Sequence, residues 1–230
     1  MSLPDSPVLV YADAANPWFS WQFLQENQDA VLSALREHAS LTAEAVALAA
    51  LVAIPLAVLG YWFRPLTAPI LALTGVLYTI PSLALFALLA PFVGVGQATV
   101  LVGLVTYALL VIVRNTVAGL SQVPEPVRDA ARGMGYGRFG QLWRIDLPLA
   151  LPGILTGVRL ATVSTVALVT VGVLIGHGGL GEFLTIGFRA GYKSEVMTAT
   201  IIIFLLGLAL DLVLAGLGRL LTPWTRSRAR

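Results

Sequence analysis

The sequence predicts an all-α polytopic membrane protein, on three observations. Of its 230 residues 57 % are apolar and only 11 % charged, with a mean hydropathy of +0.86. A water-soluble domain carries roughly 25 % charged residues, so this chain has too few charges to coat a surface facing water. Its apolar residues fall into about five runs long enough to cross ~30 Å of hydrocarbon, which takes ~20 helical residues. These runs are continuous rather than alternating, which argues for helices over membrane β-strands.

The elements follow in chain order. Residues 1–40 form an extracytoplasmic or interfacial segment. Its start, "MSLPDSPVLVYADAANPWFSW", lacks the basic region and long apolar core of a cleaved signal. Trp18, Phe19, Trp21 and Phe23 suit the headgroup zone, where a ring meets both apolar and wet neighbours, so this stretch reads as an amphipathic interfacial anchor. A recognition surface and a short, charge-bearing sixth crossing are the other readings. The spans are expected at about 41–60, 66–90, 98–118, 153–175 and 196–218, with a basic tail at 222–230. There is no convincing internal repeat of the kind many secondary transporters show.

Charge sets the orientation. With the N-terminus outside, the inner side receives Arg64, Arg114, Arg128, Arg132, Arg138, Arg144, Arg219, Arg226, Arg228 and Arg230, and the outer side only Arg36, Arg189 and Lys193. That is a clear positive-inside bias, with the C-terminus cytoplasmic. Arg128, Arg132, Arg138 and Arg144 are read first as the charges that hold their loop inside.

Several chemistries are excluded. Zero cysteines rule out disulfides, thiolate catalysis and Cys-ligated metal. "GYGRFG" at 135–140 and "GHGGLG" at 176–181 satisfy G-x-G-x-x-G, but neither follows a strand as a dinucleotide loop must, so both matches are chance. No P-loop is present: the only lysine, Lys193, sits in "GFRAGYKSE" and reads as an outer-face loop residue. His177 and Glu182 in "GHGGLGEF" make neither a metal site nor a catalytic pair without a nucleophile. That glycine-rich turn reads as a close-packed re-entry or a docking surface.

The longest inner loop, "RNTVAGLSQVPEPVRDAARGMGYGRFGQLWRIDLPLALP", carries the most information. Pro124 and Pro126 can open a helix, and Gly133, Gly135 and Gly137 can end it with left-handed residues. A second short helix over about 138–145 is expected to stop near Pro148. Within this loop Asp129-Ala130-Ala131, Gly135 and Ile145-Asp146-Leu147-Pro148 match E-A-A-x3-G-x9-I-x-L-P at every spacing, with Asp129 in place of the usual Glu. The loop thereby resembles the EAA signature of permease subunits of bacterial ABC importers. "LYTIPSLALFALLAPFVGVG", "YALLVIVRNTVAGL" and "LIGHGGLGEF" extend the resemblance to permeases for glycine betaine, carnitine and choline, over roughly residues 41–221.

The resemblance implies a type I (MetI-like) permease with a cytoplasmic coupling loop at 121–150. There Asp129, Ala130, Ala131, Gly135, Ile145, Leu147 and Pro148 serve coupling to an ATPase. It implies a second permease copy or homologous permease, two ABC ATPase subunits, an extracytoplasmic binding protein and a lipid bilayer as partners, and no nucleic acid. No cofactor belongs to this chain; ATP and Mg are bound by the ATPase. A secondary transporter or channel, a membrane-embedded enzyme, and an ABC importer of another solute such as methionine or an anion are the alternatives.

Two intramembrane features complete the reading. Tyr78, Thr79, Pro81 and Ser82 form a proline break in the second span; broken helices line substrate paths, and prolines also serve helix packing. Arg159 and Asp211 are the ionisable residues placed inside spans, at comparable depth, about 12 Å from the inner ends at ~1.5 Å per residue. They either pair with each other or make separate contacts, because an ion in lipid needs a partner or a cavity.

Overall fold

The computed structural model describes residues 16–224, and all regular structure there is helical. Residues 1–15 and the Arg226, Arg228 and Arg230 end of the basic tail lie outside the described residues.

Helix α1, Trp21–Glu26, starts at Ser20, whose hydroxyl accepts from the Phe23 N–H at 3.2 Å. Helix α2 then runs unbroken from Gln28 to Trp62. At ~1.5 Å per residue it is ~52 Å long, more than a bilayer core requires. The expected segment boundary at 40/41 therefore falls inside one helix, so that of residues 16–40 only those up to Asn27 precede it. The polar stretch 28–40 is mostly exposed but held at Val31 and His38, which are buried; the His38 Nε2 hydrogen-bonds the Val166 carbonyl at 2.9 Å.

The second apolar run is two helices, α3 (Arg64–Thr79) and α4 (Ser82–Val93), bent by 99°. Pro81 causes the break: it offers no N–H and forces Ile80 into an extended conformation, ψ 127°. The freed Ile80 carbonyl is taken by the Tyr107 hydroxyl. Helix α5, Gln97–Ser121, follows. A nine-residue helix α6, Glu125–Gly133, and a single turn α7, Arg138–Gln141, form the next connection.

No stop occurs near Pro148, contrary to the expectation from the sequence. A π-turn, Leu142–Asp146, joins α7 to α8, Leu147–Val169, and a 3-10 stretch continues to Ile175. The proline ring would crowd the carbonyl four residues back in a regular helix. The widened turn, closed by the Leu147 N–H on the Leu142 carbonyl, leaves room for it. Helices α9, Gly181–Ala190, and α10, Lys193–Leu221, complete the chain. Among the described residues four helices are long and apolar enough to cross a membrane, and five spans result if α3 and α4 count as one.

The centre is α2, α5 and α8. Ala49, Ala53 and Ala57, every fourth residue of α2, are fully buried against Ala108, Ile112 and Val113 of α5 and Ala161 of α8. Leu41, Phe86, Val100, Leu104 and Val169 fill the end near α9; Leu120, Leu142, Ala150 and Ile154 fill the end near α6. Helix α10 lies outside, against α8 and α9, and turns Phe204, Leu208 and Leu212 outward. An apolar outer surface of this kind is suited to hydrocarbon.

Candidate functional site

The 122–146 connection is built from short-range rules. Pro124 and Pro126 open α6, with Glu125 in its first turn and Arg132 in its last, the charge order that the helix dipole favours. Of the three clustered glycines only Gly135 is left-handed, at φ 84°; Gly133 closes α6 and Gly137 is extended. The Gly135 N–H donates to the Arg132 carbonyl at 3.0 Å and the Tyr136 N–H to the Ala131 carbonyl at 3.1 Å, closing the helix end. No atom lies within 4 Å of where a Gly135 Cβ would stand, so the backbone alone demands glycine.

The two faces of α6 differ. Asp129 and Ala130 are exposed, and Arg132 donates to Asp129 at 3.1 Å and to Glu125 at 2.8 Å. The Arg132 and Arg128 guanidiniums hold the Glu125 carboxyl below the usual carboxylate range. Ala131 is fully buried within the chain, so of the two alanines only Ala130 lies at the surface. Ile145, Leu147 and Pro148 are half-buried where the connection enters α8.

Arg128 occupies the inner face. Its Nη2 donates to the Leu120 carbonyl at 2.6 Å, Nη1 to Glu125 at 3.2 Å and Nε to Asp146 at 3.4 Å, while the guanidinium lies 5.2 Å from the centre of the Tyr61 ring. Tyr61 and Gln141 also donate to Asp146, at 3.2 and 3.3 Å. A cavity of about 620 Å³ opens beside this cluster, lined by Arg64, Arg128, Arg132 and Arg138 against Glu125 and Asp146. Sequence reasoning missed Asp146, although a carboxylate between Ile145 and Leu147 at the mouth of a span was a signal. It also read Arg128 as a topological charge, where the structure gives it specific partners.

The intramembrane residues are placed as follows. Tyr78 is exposed at the α3–α4 break, edge-on to Tyr107 at 5.6 Å; Pro81 is exposed and Ser82 half-buried. Arg159 of α8 and Asp211 of α10 face each other, Nε to Oδ1 at 2.9 Å and Nη2 to Oδ2 at 2.8 Å. At the far end of the bundle His177 sits in a tight turn before α9 and Glu182 is exposed on α9's first turn. Lys193 opens α10, its ammonium 5.3 Å from the Trp18 ring centre, and the Asn16 side chain bridges the Gly191 carbonyl and the Lys193 N–H. Among the described residues no group of three or more His, Cys, Asp or Glu could hold a metal ion.

Comparison with known proteins places these features in context. Residues 45–227 match the family model described as the binding-protein-dependent transport system inner membrane component. The chain is 34 % identical over 202 residues to the choline transport system permease protein OpuBB of Bacillus subtilis, covering 88 % of this chain and 93 % of that one. It is equally 34 % identical over 202 residues to the glycine betaine/carnitine/choline transport system permease protein OpuCD of the same organism, covering 87 % and 88 %. The inward-facing MetNI methionine ABC transporter superimposes with a TM-score of 0.76 at 20 % identity, over 86 % of this chain and 98 % of that one. The last likeness is one of fold.

Proposed function

The chain belongs to the family of binding-protein-dependent transport system inner membrane components, and from that premise we propose that it translocates a compatible solute bearing a quaternary amine. It is a multi-pass transport subunit of an ABC importer. The solutes named for the two Bacillus relatives, choline, carnitine and glycine betaine, share a trimethylammonium group, which supports this substrate class over an amino acid such as methionine.

The observation that carries the reading is the 122–146 connection. Its motif residues sit at the family spacing: they form α6 and the Gly135 turn after it, and α7, which follows that turn, is continuous through the π-turn with a membrane span. In this reading α6 is the coupling helix. Two ABC ATPase subunits, which bind ATP and Mg, dock on its exposed Asp129–Ala130 face, one on each copy of a permease pair. An extracytoplasmic binding protein delivers the solute at the opposite end. The N-terminus then lies outside and the C-terminus in the cytoplasm.

The test is uptake of labelled glycine betaine and choline into proteoliposomes holding the complete complex, with and without ATP on the ATPase side. Uptake is expected to require ATP and to collapse in Gly135→Asp. That substitution costs ~1 kcal/mol of left-handed backbone strain with no steric clash, so the protein still folds. ATP hydrolysis without uptake of either solute would overturn the substrate class. Uptake indifferent to ATP and to Gly135 would overturn the coupled importer.

A further inference from the structure

Asp146 is a carboxylate where carboxylates are costly. It is 2 % exposed, and its donors stand at 3.2 to 3.4 Å, none of them short. Taking a charge out of water costs several kcal/mol per ion, and a buried pair of ordinary geometry seldom repays that with net stability. What the cluster does is connect. Arg128 comes from α6, Tyr61 from the end of α2 and Asp146 from the entrance to α8, while the Leu120 carbonyl that Arg128 also holds ends α5. One side chain of a nine-residue surface helix is tied to all three helices of the core.

The rest of α6 is loosely held. Ala131 is its only buried residue, and the ion pairs of Arg132, with Glu125 and Asp129, stay within α6 itself. Asp146 is also the last residue of the π-turn, so the tie is made where the 138–175 helix has already left regular α geometry; such turns recur at functional sites.

We infer that Arg128, Asp146 and Tyr61 form the joint through which displacement of α6 reaches the core helices, with Asp146 a positioning residue for transport. The inference rests on the reading of α6 as a coupling helix. A joint of this kind sets how much solute moves per ATP hydrolysed.

The experiment uses the complete complex in proteoliposomes, with ATP hydrolysis and glycine betaine uptake measured in the same vesicles. The near-isosteric Asp146→Asn, and Arg128→Gln, are each expected to lower uptake per ATP roughly tenfold, ~1.4 kcal/mol, while hydrolysis by the assembled complex persists. The double variant is expected to be no worse than either single, because a joint opened at one end is already open. Uptake and hydrolysis falling together with the amount of assembled complex, or losses that multiply in the double variant, would overturn the joint. A second readout needs no ATPase: in the isolated permease in lipid nanodiscs, Asp146→Asn should speed hydrogen exchange at the α6 amides and leave α8 beyond Ala150 unchanged. Unchanged α6 exchange would also overturn it. Wild-type uptake that ignores ATP sinks the functional reading alone, and the exchange result still decides whether Asp146 ties α6 down.

Discussion

A guanidinium and a carboxylate facing each other from two apolar helices constrain both helices at once. Arg159 and Asp211 meet in a two-pronged geometry at 2.9 and 2.8 Å, the arrangement in which arginine binds a carboxylate most specifically. Either ion alone would stand among apolar side chains and hydrocarbon, where it needs a partner. Arg159→Leu and Asp211→Leu are therefore each expected to lower the melting temperature of the purified permease. The double leucine variant, or the exchange Arg159→Asp with Asp211→Arg, is expected to recover most of the loss. A double variant no better than the worse single would show that the two residues act apart. The sequence offered both residues at matching depth and left pairing open, because depth says nothing of the angle around each helix. Asp146 and Arg128 were less legible still. Counting arginines by side reports where a charge sits and ignores what it touches, and their contact depends on a π-turn that no periodicity announces.

Helix positions were legible where hydropathy and backbone agree, as in α5 and α10, whose bounds at Gln97–Ser121 and Lys193–Leu221 lie within a few residues of the apolar runs. They diverge at α2 and before α8. Hydropathy marks where a chain enters hydrocarbon, whereas a helix continues as long as its backbone bonds and packing are satisfied, so polar residues 28–40 extend α2 and residues 138–146 run into α8. One packing signal lay unused in the sequence, the Gly153-x3-Gly157 pair within an apolar run. In the structure these glycines face α5 at backbone distance. A Cβ on Gly153 would stand 2.8 Å from the Gly119 Cα, and one on Gly157 would stand 2.7 Å from the Asn115 Cβ. Gly153→Leu must push α8 off α5. An overpacking cost of at least ~1–3 kcal/mol is expected, read as a fall of ~2–4 °C in melting temperature per kcal/mol. Gly216→Ala on α10, where nothing lies within 4 Å, is expected to leave the melting temperature unchanged or raise it slightly. Equal losses in the two would mean that close approach of α5 and α8 is not what these glycines provide.

At the scale of the molecule the two ends of the bundle differ in charge and in construction. The end with α6 carries Arg64, Arg114, Arg128, Arg132, Arg138 and Arg144; the other carries the α9–α10 hairpin, with Arg189 and Lys193, strapped by Asn16. Cationic side chains are retained on the cytoplasmic side during insertion, so the α6 end should face the cytoplasm, where ATP is. The chain contains no cysteine, so any introduced thiol is the only one to react. Gln122→Cys and Arg189→Cys place such thiols at exposed positions on opposite ends. With a membrane-impermeant maleimide, Arg189→Cys is expected to react in right-side-out vesicles and Gln122→Cys in inside-out vesicles. The reverse pattern would put α6 on the side without ATP, and would overturn both the orientation and the role of α6 as the element an ATPase moves. Labelling as expected would leave α6 on the only side where an ATPase could reach it, which is the condition that the uptake predictions for the Arg128–Asp146 joint depend on.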